Sequence, residues 1–486
     1  MRIALSVLAI VCTAGLSGTT NAAEQHCPIA PEKRPATLPA AAANQILFYS
    51  DWDRAYAFLE SKQDIAFGDN PAIHRWTDSS EDRAKLRQAL EQLDKRTTGG
   101  QGEERSYGRL YQGLLVELGR GMPTRYEDPN IIPLLCEAAF TVQMIVARDS
   151  PSFTMPYLGT LPSGTLNATT FGVPGSSAKL VVVNYALFSF AHEFGKIGLA
   201  TIKIEARDGN IAIEPSDEYF NRLRSDPAFL TRTSMALEDF ASERPIVGHA
   251  LPRQYDDTLL GVMDSALEQF AVAHEFAHIA LHHTSQDSGP LQGIGEVGSR
   301  SDQMLRQSWG QEAVADLYAA AVVERISMRE YHSASSGSLT GELGEFTRYA
   351  PVLFFQLNQI AEEARFVHDH KVLPPRFSDA DRTLVLGFLQ DALTDQAKTH
   401  DRAPLASISP TARPIPDVVR QFGDHPPAWA RRALVQAYWQ DHAPTPKDEV
   451  EVAFGALAIR MGDNLETLWS DIAPLWVEIV NKGPQK

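Results

Sequence analysis

The chain has 486 residues, of which 44% are hydrophobic and 22% charged, the proportions of a globular protein and not of a disordered or collagen-like one. That length accommodates two or three packed units. Its formal charge of −17, with no Lys/Arg cluster to offset it, argues against nucleic acid and anionic lipid as partners.

At the N-terminus, Met1 and Arg2 precede an apolar run over 3–16 and a small, polar stretch ending Thr20-Asn21-Ala22-Ala23. A basic start, a short apolar core and a small-residue cleavage site predict a signal peptide over 1–22. The run is shorter than the roughly 20 apolar residues that span a bilayer, which disfavours a retained anchor. Val11 is bulkier than the residue a lipoprotein signal places before its cysteine. The mature chain is therefore expected to be exported, periplasmic or secreted, with no integral membrane segment. Cleavage leaves Cys27 and Cys136. In an oxidising compartment the pair is expected to be joined, across a loop of about 110 residues worth roughly 4–5 kcal/mol in the chain-entropy model. The alternative is one buried thiol and one exposed thiol.

Residues 23–44, rich in Pro and Ala, read as an extended lead-in. Residues 45–148 form a helical N-terminal region, with helices predicted over 84–93, 110–118 and 132–146 and a Gly/polar loop at 97–104. A third region, 149–402, opens with 150–175, dense in Gly, Pro, Ser and Thr and holding the sequon Asn167-Ala168-Thr169. The β-branched run KLVVVN over 179–184 predicts a strand, and 199–204 and 211–213 are further candidates. Helical patterning returns over 258–283, 309–327 and 344–366, with a polar, Gly-rich loop at 284–302. Residues 403–428 read as a Pro-rich surface connection, and 429–486 as a C-terminal helical region with helices over 429–439 and 450–479. The fold class is α+β: mostly helical, with a small β-sheet preceding the helix at 258–283.

Two short segments carry chemistry. In FAVAHEFAHIAL, residues 270–281, the only polar side chains are His274, Glu275 and His278. Such a helix is buried nearly all round, and three desolvated polar groups without partners would cost several kcal/mol. His274 and His278 are four apart and project from one face, as a bidentate metal grip requires. Glu275 is rotated by about 100°, close to the metal without having to ligate it, where it can take a proton from water. This is the HExxH pattern of zinc metallopeptidases. A second apolar run, QEAVADLYAAAVV over 311–323, is broken by Glu312 and Asp316, one turn apart. Two buried carboxylates repel unless a cation lies beside them. A natural division puts Glu312 on the metal and Asp316 on the outer N–H of a ligand histidine. The competing reading is a buried salt bridge to an arginine elsewhere.

HEFAH followed by EAVAD resembles the gluzincin clan of zinc peptidases, and within it the M48-type peptidases, which carry ExxAD on the glutamate helix. The stretch 179–187 is similar to the edge strand and following segment of such enzymes, and His425-Pro426 with Arg431 more loosely to their later HP…R segment. The resemblance covers about a quarter of the chain and implies a zincin-like core. It implies one Zn²⁺ held by His274, His278 and Glu312, Glu275 as general base, Asp316 behind a ligand, and a protein or peptide substrate. The interval from His278 to Glu312 is shorter than typical M48 members show. His282 makes HExxHxxxH, which is similar to repressor-cleaving regulators, but those are cytoplasmic. The metzincin pattern is absent, since Leu281 and Thr284 stand where its Gly and third His belong.

Several histidines remain. His282 and His283 read as the solvated helix end, where the dipole favours cations, with His282 as an alternative third ligand. His192-Glu193 looks like a second copy of the motif, but Lys196 replaces the second His. His425 is a candidate regulatory ligand or oxyanion donor, or a plain loop residue. The expectation is an exported zinc metallopeptidase in which the 180–183 strand pairs with extended substrate and the 284–302 loop covers the cleft. The alternative is an exported metal-binding assembly or regulatory factor that turns over little or nothing.

Overall fold

The computed structural model describes residues 51–67, 84, 123–127, 131–161, 166–207, 210–214, 216–242, 257–283, 302–331, 344, 346–400, 415–442 and 449–482. The segment expected to be a signal peptide, the lead-in with Cys27, the loops at 97–104 and 284–301, the helix expected over 110–118 and all but residue 84 of that over 84–93 lie outside them.

The molecule is mostly helical, with a small mixed sheet amid the helices. Helix α1 (Asp51–Phe67) carries Asp51 and Asp53 in its first turn, against the positive end of its dipole. Helix α2 (Ile131–Asp149) is followed by strands β1 (Tyr157–Leu161), β2 (Ala168–Gly172) and β3 (Lys179–Asn184). The β-branched run KLVVVN forms β3, and β3 is central: β1 lies parallel on one side, β2 antiparallel on the other. Burial on both faces explains its unbroken apolar sequence. Leu180 and Val182 pack under Tyr56 and Leu59 of α1, while Val181 and Val183 join the main core. The outer strands fall in the Gly/Pro/Ser/Thr-rich stretch, whose composition does not announce them. The turn from β2 to β3 passes through Gly175 at φ +70°, a left-handed backbone that suits glycine.

Helix α3 (Tyr185–Ala200) follows directly and corrects the strand expected over 199–204. Leu199 closes the buried stripe of α3, and strand β4 (Lys203–Arg207) begins only at Lys203, pairing antiparallel with β5 (Asn210–Glu214). A short apolar run does not by itself separate a helix end from a strand start. Helix α4 (Asp217–Arg224) is capped by Ser216, whose hydroxyl accepts from Tyr219 N, and α5 (Pro227–Ala241) by Asp226, with Pro227 in its first turn.

Helices α6 (Asp257–Ala280) and α7 (Asp302–Tyr331) pack along each other, and α2 lies on α6. Helix α8 (Ala350–His370) packs on α5, α6 and two later helices, while α9 (Asp379–His400) lies along α7. The α7–α9 approach is close at Gly310, where a Cβ would stand 2.6 Å from the carbonyl oxygen of Ala392. The Pro-rich segment ends in a short helix, α10 (Asp417–Arg420), before α11 (Ala428–His442) and the long α12 (Glu449–Lys482). A large core joins α2, α3, α5, α6, α7, α8, α11 and α12, and a smaller one under Trp309 joins the start of α7 to α9, α10 and α11. Cys136 on α2 is disulfide-bonded, as expected of one half of the Cys27–Cys136 pair; its partner lies outside the described residues. Among the described residues no helix is long and apolar enough to cross a membrane.

Candidate metal centre

Helix α6 is enclosed on all sides at its C-terminal half, with Phe270, Ala271, Val272, Ala273, Phe276 and Ala277 all buried. His274 and Glu275 are buried with them, and His278 is half-buried. Helix α7 brings Glu312 and Asp316 against the same face, both buried. His274 Nε2 lies 3.1 Å from His278 Nε2, and each of those atoms lies 3.4 Å from an oxygen of Glu312. Three donor atoms from two helices thus converge on one point, a cluster able to hold a metal ion. A tetrahedral zinc with bonds of about 2.0–2.1 Å sets its ligand atoms about 3.3–3.4 Å apart, close to these separations, with Glu312 offering a different oxygen to each histidine.

Asp316 sits behind the cluster. One of its oxygens lies 2.9 Å from His274 Nδ1, which fixes that ring with Nε2 toward Glu312. Asp316 also accepts two hydrogen bonds from Arg431 on α11, Nε at 2.7 Å and Nη2 at 2.6 Å. The salt bridge weighed as an alternative to a site role therefore exists, together with the histidine contact. Arg431 is itself stacked over Phe355 of α8 at 4.8 Å and lies 3.4 Å from Glu312.

The electrostatics follow from this packing. Burial disfavours a charge on His274, but its hydrogen bonds to the Asp316 and Glu312 carboxylates outweigh it and push the imidazole up to about 10. Burial likewise opposes the charge on Glu312; His425, His274 and His278 overcome it and hold the carboxyl well below the usual carboxylate range. Asp316 is held down against burial mainly by Arg431. Without a metal the buried carboxylates thus hold a proton on His274, which a bound divalent cation would have to displace.

Glu275 has its own partner. Thr170 of β2 donates to Glu275 Oε2 at 2.6 Å. Strand alternation explains the contact: Phe171 turns to α1, edge to face with Phe58 at 6.0 Å, so Thr170 turns the other way, onto α6. Sequence reasoning missed Thr170, because nothing marked 168–172 as a strand. The same sheet order corrects the substrate strand expected at 180–183. β3 has a neighbour on each side and offers no free backbone, whereas β2 is an edge among the described residues and lies against α6.

His425 is brought to the centre, its Nδ1 3.3 Å from Glu312 Oε2, with a side chain 61% exposed. Ser308 Oγ and Trp309 Nε1 of α7 donate to the carbonyls of Asp424 and Gly423, both at 2.9 Å, and so hold the turn carrying His425 beside Glu312. The solvated helix end expected at His282 and His283 needs correcting in part. His282 is exposed and outside the ligand cluster, but His283 folds back to place Nδ1 3.2 Å from His278 Nδ1. The second HE pair stays away from the centre: His192 bonds Asp264 at 2.7 Å, and Glu193 pairs with Lys196 at 2.7 Å.

No family model, curated protein or solved structure matches the chain, so function rests on the geometry of this centre.

Proposed function

We propose that the chain is an exported zinc metallopeptidase of gluzincin type, acting on protein or peptide substrates with one Zn²⁺ held by His274, His278 and Glu312. The observation that carries this reading is the convergence of those three donors, with Glu275, next to His274 in the same helix, held separately by Thr170. A purely structural zinc site closes with a fourth ligand and has no use for an oriented carboxylate outside the ligand set. That weighs against an assembly factor without turnover. The disulfide at Cys136 supports an oxidising compartment, and hence export.

Bound zinc would supply Lewis acidity, making water acidic enough to lose a proton near neutral pH and polarising the scissile carbonyl. Glu275 takes the proton from the attacking water and returns it to the leaving nitrogen, while Thr170 keeps the carboxylate aimed. Asp316 keeps His274 in the tautomer that presents Nε2, and Arg431 keeps Asp316 ionised. The edge of β2, unpaired among the described residues, is suited to receive an extended peptide by backbone hydrogen bonds, next to the strand residue that holds Glu275.

The test is metal content by mass spectrometry on the mature chain, purified without added zinc, followed by peptide hydrolysis. Glu275→Gln is expected to keep about one zinc per chain and lose 10²–10⁴-fold in turnover, roughly the worth of a positioned base. Glu312→Ala is expected to weaken zinc binding at least tenfold, roughly the lower bound for losing one of three ligands. A Glu275→Gln variant that hydrolyses peptides as fast as the parent would remove the assigned role.

A further inference from the structure

His278 and His283 form a contact that the metallopeptidase scheme does not use. The helix ends in a Schellman motif: His283 N donates to His278 O at 2.8 Å and His282 N to Ile279 O at 3.1 Å. The left-handed position of that motif, usually glycine, is occupied by His282 at φ +56°. The turn reverses the chain within one residue and lays the His283 ring against His278, centroids 5.2 Å apart at 66°.

The proton positions follow from the neighbours. His278 Nε2 faces His274 Nε2 at 3.1 Å and Glu312 at 3.4 Å, in the donor cluster. A lone pair on that nitrogen puts the ring proton on Nδ1, which then donates to whatever stands 3.2 Å away, and that is His283 Nδ1. The two ligand histidines thus have different groups behind them: His274 the Asp316 carboxylate, His278 the His283 imidazole.

We propose that His283 is a positioning residue for the metal centre: its Nδ1 accepts the Nδ1–H of His278, and the left-handed turn at His282 puts it there. The inference rests on the metal-site reading above, not on peptidase activity. An acceptor behind a ligand imidazole fixes both tautomer and ring direction, and its loss typically costs about 10–100-fold in metal affinity.

Zinc affinity of the mature chain, measured by chelator competition with Zn²⁺ alone, tests it. His283→Phe is expected to weaken binding about 10–100-fold. His283→Asn, whose Oδ1 falls near the position of Nδ1, is expected to stay within about threefold of the parent, unlike a variant that merely disturbs packing. The backbone arm is independent. His282→Val, a β-branched residue that resists the left-handed region, is expected to weaken binding, while His282→Gly keeps it. A His283→Phe chain that binds zinc as tightly as the parent overturns the proposal; if that variant does not fold, equal affinities for the Val and Gly variants at 282 overturn it instead. Should the parent take up no zinc, the metal reading falls, and long-range ¹H–¹⁵N spectra of the metal-free chain decide the contact. His278 protonated on Nδ1 upholds the hydrogen bond, and protonation on Nε2 overturns it.

Discussion

Thr170 shows how much a single hydroxyl contributes at this centre. Its side chain donates to both the carboxylate and the main-chain oxygen of Glu275, at 2.6 and 3.3 Å. Without it the buried carboxylate loses the hydroxyl that orients it, while the histidines keep their own partners. Thr170→Val, which keeps the shape and removes the donor, is expected to lower kcat about tenfold with zinc content and KM nearly unchanged, and Thr170→Ser to restore it. A change confined to KM would place the residue in substrate binding instead. Asp316 occupies the corresponding position behind His274, but its attachment is charged: it is fully buried and bridges His274 and Arg431. Removing one member of such a group leaves an uncompensated buried charge, which costs about 3–5 kcal/mol, so Asp316 variants will report on folding as much as on metal.

At the scale of elements, the contact between α3 and α6 is electrostatically unsettled. Glu268 is buried on α6, and burial, then Asp264 and Glu137, push its carboxyl well above the usual range. Asp264, one turn earlier, is bonded to His192 of α3. A carboxyl whose pKa is raised by folding favours the folded state fully below its unfolded value, near 4.5, and loses that contribution as pH rises through the folded value. Stability should therefore decline above about pH 5 in part through Glu268. Glu268→Gln, with nothing to ionise, is expected to melt above the parent at pH 8 and alongside it at pH 4; parallel melting curves across that range would exclude the group. The helix that carries His274 and His278 thus bears these two carboxyls near its middle.

On the scale of the whole molecule, the centre draws on distant parts of the chain. Thr170, the HExxH helix, Glu312 and Arg431 come from β2, α6, α7 and α11, and the turn holding His425 is pinned to α7 by Ser308 and Trp309. Helix α2, which backs α6, is tied by a disulfide at Cys136 to a residue outside the described ones. Cys136→Ser is expected to lose about 2–5 kcal/mol in urea unfolding, and the parent measured under reductant to match it. Equal stability with and without reductant would mean the bond does not restrain the unfolded chain.

The sequence by itself marked several of the helices and the residues of the His/His/Glu cluster, because both signals are local. Apolar runs at helical spacing predict α6, α7 and α12, and polar groups stranded in buried runs single out His274, Glu275, His278, Glu312 and Asp316. Those residues are legible because burying them without a purpose is costly, so their presence in an apolar segment is itself a signal. What only the tertiary structure decided is which surfaces meet. That β3 is central and β2 an edge depends on pairing across the chain, and one face of β2 meeting α6 makes Thr170 a partner of Glu275. Arg431 comes to Asp316 from 115 residues away, and His283 comes to His278 through a left-handed turn at a residue that is not glycine. Contacts of that kind leave no periodicity in the sequence, because nothing in the spacing of residues records the direction in which a chain returns.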